Sequence, residues 1–139
     1  MNKVIPIDEE YIFGDGVIVS QTDASGVITY ANRKFCEVSG YSVDELVGKP
    51  HSIVRHPDMP SAVFAKMWET IKGGQVWNGL VKNMRKDGHF YWVDTEILPV
   101  RSDDEKATII GYIAARKLAS RKDIQENEEI YKKMLQLKV

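Results

Sequence analysis

The stretch Ile53–Trp68, IVRHPDMPSAVFAKMW, carries the densest polar chemistry in the chain. A guanidinium (Arg55), an imidazole (His56) and a carboxylate (Asp58) are interleaved with Pro57 and Pro60, directly before an apolar, aromatic run. An arginine in such a place can pair with phosphate oxygens in a forked geometry. The prolines fix the backbone that aims it. Plainer roles are open to the same residues: Arg55 and Asp58 as an ion pair that sets the loop, His56 as a hydrogen bonder where the helix begins. No catalytic arrangement stands out. His51, His56 and His89 have no metal-ligand spacing with one another or with Cys36. Chain order gives no Ser/His/Asp set, and the GxGxxG loop of Rossmann dinucleotide sites is absent. The expectation is a protein that is not an enzyme and holds no metal.

Something must position these groups. The chain has 139 residues, 43% hydrophobic and 28% charged, with a net charge of -1. That suits one core with a short appendage, without the basic field that nucleic acid requires or the acidic bias of disorder. The single cysteine, Cys36, excludes an intramolecular disulfide and reads as a small buried hydrophobe in a reducing compartment. No signal-like N-terminus and no run of roughly 20 apolar residues is found, so the expected location is cytoplasmic, without membrane insertion.

Local patterns predict the elements. A helical turn is possible at Asp8–Phe13. Val17–Thr22 and Val27–Tyr30 flank turn residues Asp23–Gly26 and read as a hairpin. Short helices follow at Arg33–Val38 and Val43–Val47, the second with a Ser42/Glu45 capping box. Pro60-Ser61 opens a longer helix to about Lys72, apolar at Val63, Phe64, Met67, Trp68 and Ile71, and stopped by Gly73-Gly74. Strands are expected at Val76–Arg85 and Phe90–Val100, around a KDG turn, and at Thr108–Lys117. The fold class is therefore α+β, a five-stranded antiparallel sheet with short helices on one face, plus a C-terminal helix. That last helix has a stripe of Ile124, Tyr131 and Met134, with Ile130 and Leu137 beside it. It could pack back on its own sheet or serve as a connector or dimer contact.

With Asn32, Phe35, SGY at 39–41, Glu45-Leu46 and Gly48, then WNG at 77–79, NMRKDG at 83–88, YW at 91–92, Pro99 and GYI at 111–113, this order resembles a PAS domain over roughly residues 14–118. Residues 1–13 would be an N-terminal cap segment and 119–139 a helix or connector. GKPHSIVRHPDMP, FAKMW and WNGLVKNMRK further resemble the sensor domains of bacterial aerotaxis receptors. That resemblance implies non-covalent binding of FAD, with Arg55, His56, Asp58 and Trp77 linked to flavin binding and signalling. It also implies sensing of redox or energy state and a chemoreceptor signalling module as partner, on the same or a separate chain. Some PAS domains bind haem through histidine, so a haem-based gas sensor is an alternative for His56. A cofactor-free module that dimerises through its outer sheet face is another. In the flavin photoreceptors of the superfamily an adduct-forming cysteine stands where His51 stands here, and a signalling glutamine aligns with Ile113. Both departures argue against a light sensor.

Strand alternation then selects an inner face. Trp77, Gly79, Val81 and Asn83 fall on one side and Lys82 on the other. Gly79 would let a flat ring approach, and Asn83 would offer an amide that both donates and accepts. Tyr91, Val93, Thr95 and Ile97 would also face inward, leaving Trp92 on the outer face, exposed unless a helix covers it. In the last strand Gly111, Ile113 and Ala115 alternate with Tyr112 and Arg116. With Phe64 and Trp68 as an aromatic wall, the candidate cofactor set is Arg55, His56, Asp58, Phe64, Trp68, Trp77, Asn83, Tyr91, Thr95 and Ile113. Arg55 and His56 would sit at the rim, where a diphosphate could leave. The dipole of the helix opening at Ser61 would assist.

Overall fold

Asp23 closes the first hairpin. Its carboxylate accepts from Ser25 N at 2.9 Å, Ser25 Oγ at 2.7 Å and Val27 N at 3.0 Å, joining β1 (Ile18–Asp23) to β2 (Ile28–Ala31). The structure is a computed structural model describing residues 3–137; the outermost two residues of both the expected N-terminal cap and the expected C-terminal connector lie outside those residues. Asn32 does two jobs at the end of β2. Its Oδ1 caps α1 (Arg33–Ser39) by accepting from Phe35 N at 3.0 Å, and also accepts from Val19 N at 3.1 Å, tying the helix to β1. Gly40 ends α1 in the left-handed region, φ 79°, where a side chain would be strained. The Ser42/Glu45 capping box forms as expected on α2 (Val43–Leu46).

A 3-10 turn at His51–Val54, not anticipated from sequence, follows Gly48 and Pro50. It leads through the RHPD segment into α3 (Ser61–Lys72). Strands β3 (Trp77–Met84), β4 (Phe90–Arg101) and β5 (Ile109–Leu118) complete a five-stranded sheet, and α4 (Arg121–Leu137) follows. The sheet order is β2-β1-β5-β4-β3 with every neighbouring pair antiparallel, as the α+β expectation requires. Two apolar clusters sit under the helices. The larger is built around Ile18, Phe35, Val38, Leu46, Val54 and Tyr91, and the smaller around Met67, Ile71, Ile97 and Tyr112.

Two expectations are corrected, and the open question of Trp92 is decided. Residues 8–13 form no helix. They run extended beside the start of β4, with Tyr11 N donating to Phe90 O at 2.7 Å and Ile7 N to Gly88 O at 3.0 Å, because the β3–β4 hairpin offers them unpaired backbone partners. Trp92 is not exposed. α4 folds back over the outer face, where Tyr131 stacks on Trp92 with centroids 6.2 Å apart and donates its hydroxyl to Leu80 O at 2.6 Å. Trp92 keeps only 2% of its surface in contact with solvent. Of the two readings of the C-terminal stripe, packing on its own sheet is the observed one. Finally, Ile113 stands opposite Leu98, while Tyr112, Ala114 and Arg116 face the helices. The inner parity of β5 is the reverse of the expected one.

Candidate functional site

A cavity of about 300 Å³ lies between the inner face of the sheet and α3, at the lower end of the range for small-molecule sites. Helical spacing brings Phe64, Met67, Trp68 and Ile71 to one face of α3, and these make an apolar wall. Opposite them the sheet presents Ser20 and Thr22 from β1, Val81 and Asn83 from β3, Thr95 and Ile97 from β4, and Tyr112, Ala114 and Arg116 from β5. Trp68 meets Tyr112 edge to face at 5.7 Å, and the first hairpin turn reaches over it at Gly26. An apolar slot with a few convergent polar groups is the usual make-up of a site for a flat heteroaromatic ligand.

The floor of this cavity carries a charge. Arg116 is only 5% exposed, yet among the described residues no carboxylate pairs with it. Its Nη2 donates to Ser20 Oγ at 2.9 Å and to His51 Nε2 at 2.6 Å, and its guanidinium lies 5.3 Å from the centroid of the Phe35 ring. Nη1 has no partner among the described residues, and neither does the buried Thr95 Oγ1. Thr95 and Arg116 are register partners across β4 and β5. Burial draws Arg116 down to about 10, which still leaves it charged at neutral pH. Burial of the His51 ring, then the charge of Arg116, push that imidazole down to about 3. It is therefore neutral, with Nε2 as an acceptor.

The RHPD segment divides around the edge of the sheet. Arg55 makes a backbone bridge with Asn83 on the edge strand β3, and its side chain lies over the Phe64 ring at 4.3 Å, at the mouth of the cavity. His56 is buried on the other side, edge to face with Phe90 at 6.3 Å, its Nδ1 accepting from Asp58 N at 3.0 Å. Burial, then the charge of Lys82, lower its pKa. Asp58 pairs with Lys82 at 3.0 Å rather than with Arg55, so the ion pair expected within the motif has a different partner. Lys82 points to the outer face as expected, but it is buried there over Phe90.

Five of the ten candidate residues thus line one cavity: Arg55, Phe64, Trp68, Asn83 and Thr95. His56 and Asp58 do not line it. Trp77 lies across its own strand, its ring within 2.5 Å of where a Cβ on Gly79 would stand. The flat ring that Gly79 admits is therefore Trp77 itself. Tyr91, on β4, is buried outside the cavity, against Phe13 and the Asn83 amide, and burial raises its pKa. Ile113 is on the outer face. The start of α3 at Pro60-Ser61 does not line the cavity, so the helix dipole is not aimed into it. Arg116, His51 and Ser20 were missed. His51 had a signal, since the sequence reading aligned it with a flavin-facing position.

A family model described as PAS fold matches residues 28–113. Among curated proteins, the aerotaxis receptor of Escherichia coli (strain K12) is 46% identical over 118 residues, 85% of this chain and 23% of that protein. The nitrogen fixation regulatory protein of Klebsiella pneumoniae is 38% identical over 84 residues, 60% of this chain and 17% of that protein. The chain thus spans less than a quarter of the length of either relative. Among solved structures, the light state of the blue-light photoreceptor Aureochrome1 LOV superposes with a TM-score of 0.69 at 24% identity, covering 86% of this chain and 91% of that one.

Proposed function

The chain belongs to the PAS family, and from that premise we propose that it is a sensory domain that holds FAD non-covalently and reports redox or energy state to a chemoreceptor signalling module. The observation that carries this reading is the cavity itself. It sets an aromatic and sulfur-bearing wall on α3 against a sheet face that offers an amide (Asn83), a hydroxyl (Thr95) and a guanidinium (Arg116). A flavin ring has two apolar faces and one edge of carbonyls, ring nitrogens and an N–H, which is the complement of that arrangement. The 46% identity to an aerotaxis receptor, spanning the RHPD segment and α3, agrees with it in kind.

In this reading the flavin supplies the redox change and the protein supplies position and response. Phe64 and Trp68, on the same face of α3, would pack against the ring from the helix side. Asn83, held against the Tyr91 hydroxyl, re-pairs its hydrogen bonds when the ring changes state. Because β3 and β4 also carry Trp92 and Leu80 on their other face, a shift there reaches α4. Arg55 at the mouth would offer its guanidinium to a phosphate of the tail. The division into cap, sensor and connector follows the same reading. Haem is less well served: His51 is the histidine that lines the cavity, and its Nε2 is engaged by Arg116 and Ser20.

The test is direct. Purified protein is expected to be yellow, or to become so on incubation with FAD, and to release FAD on denaturation. Arg55→Ala should weaken FAD binding roughly tenfold, in line with loss of one charged hydrogen bond at an exposed rim. A colourless protein that cannot be reconstituted, or a haem absorption band in place of a flavin spectrum, sinks the reading.

A further inference from the structure

β3 is an edge strand, and an edge strand leaves a row of backbone groups outside the ladder. The residues before α3 cover that edge by wrapping around it. On the cavity side Arg55 makes its backbone bridge with Asn83. At the edge itself the Lys82 N–H donates to Met59 Sδ at 3.3 Å, in a buried contact. On the outer side the Lys82 ammonium pairs with Asp58 at 3.0 Å and lies over the Phe90 ring at 4.4 Å. The buried His56 imidazole accepts from Asp58 N at 3.0 Å and so fixes the turn that carries this carboxylate. Residues 55–59 thus hold β3 from both faces, and α3, the apolar wall of the cavity, begins directly after them. The mouth beside this segment is narrow. Of the residues that line the cavity, Ser25, Pro50, Ser52 and Arg55 are exposed, and the others are buried or half-buried.

We propose that the seam between residues 55–59 and β3 is a clasp that must part for a ring-sized ligand to enter or leave the cavity, and that Asp58, Lys82 and Met59 set how often it does. The identity of that ligand rests on the flavin reading above. None of the three lines the cavity; they are positioning residues, which act through the seat of α3 and through Asn83. A clasp has a kinetic signature. When it is closed both with and without ligand, loosening it raises the open fraction of both forms by one factor. Association and dissociation then accelerate together, and their ratio, the Kd, stays where it was. Loss of a ligand contact does otherwise: it speeds release and weakens binding, with association little changed.

Asp58→Asn keeps the backbone N–H that His56 accepts and removes only the charge. Because the Asp58 side chain is largely exposed, the pair is worth little more than a surface one, and an effect of about threefold is expected. The variant should take up FAD, and exchange bound radiolabelled FAD for unlabelled FAD, faster than the parent by that factor, with an unmoved Kd. Met59→Leu, of similar volume but without an acceptor for Lys82 N, should exchange faster still. Lys82→Met should behave as Asp58→Asn does, and the double variant should be no faster than Lys82→Met alone. In ligand-free protein the Lys82 amide should be protected from hydrogen exchange, and Asp58→Asn should speed its exchange by the same factor while amides of β5 keep the parental rate. Parental exchange rates in both Asp58→Asn and Met59→Leu, or a weaker Kd from faster release alone, overturn the clasp and leave the flavin reading standing. Should the parent take up no flavin, that reading falls by itself and the Lys82 amide decides. An unprotected amide in the parent, or an unmoved rate in Asp58→Asn, then overturns the clasp.

Discussion

His51 makes the stability of the ligand-free protein depend on pH in a way that can be isolated. Its ring is half-buried, faces the Arg116 charge, and is pushed down to about 3 in the folded protein from an ordinary value of 6.5. In the window between those values the unfolded chain takes up a proton that the folded protein refuses. Stability is then fully present above pH 6.5 and falls as pH drops towards the folded value. Each pH unit well inside the window costs about 1.4 kcal/mol. From pH 7 to pH 5 the loss from this one residue is about 2 kcal/mol, a sizeable part of the roughly 5–15 kcal/mol that holds a small domain together. His56 adds to the slope, since burial and Lys82 lower it too, and carboxylates add their own terms. These are common to the parent and to His51→Gln, which keeps an acceptor for Arg116 without titrating. Urea denaturation of both ligand-free proteins at pH 7, 6 and 5 therefore isolates the His51 contribution as the change in their difference. The parent should lose about 2 kcal/mol more than the variant across that range. Parallel lines would refute the argument, and with it the placement of a neutral imidazole against Arg116.

Two further outcomes test the frame around the cavity. Tyr131→Phe should cost about 1–2 kcal/mol in urea denaturation through the lost bond to Leu80 O, and Tyr131→Ala about 3–5 kcal/mol, with red-shifted tryptophan emission as Trp92 meets water. Neither midpoint moving would mean that α4 is not docked as described. A Cβ on Gly111 would stand 2.2 Å from Thr22 O on the neighbouring strand, so Gly111→Ala must open the β1–β5 pairing; an overpacking cost of about 1–3 kcal/mol is expected, read as a fall of several degrees in Tm. An unchanged Tm would contradict that close approach.

The elements were legible because their signals are local. The capping box at Ser42, the turn at Asp23–Gly26 and the spacing along α3 each depend on residues within one turn of one another. Half of the cavity was legible for the same reason, since Lys82 in β3 and Asp94 and Glu96 in β4 mark which parity faces away from it. In β5 that contrast fails. Ala114 and Ala115 are alike, and a lone arginine in a strand reads as outward when in fact it is the charged floor of the cavity. What hides it is non-local: Ser20 and His51, remote in sequence, supply the acceptors that make burial of Arg116 tolerable. Trp92 was hidden in the same way, because only the position of α4 decides whether it meets solvent. RHPD misled differently. Its residues are contiguous, but the segment straddles an edge strand, so neighbours in sequence end on opposite faces of the sheet.

The docking of α4 over Trp92 has a consequence for assembly. The helix is joined to β5 by little more than Ala119 and Ser120, so it meets the outer sheet face as a tethered occupant. Such a tether corresponds to an effective concentration on the order of millimolar. Any second copy or separate module that would bind this face must outcompete the chain's own tail, and weak, diffusional encounters are filtered out. Conversely, a change in the sheet that loosens the Tyr131 stack needs to move only that intramolecular competition, not create a new surface, for the face to become available to others.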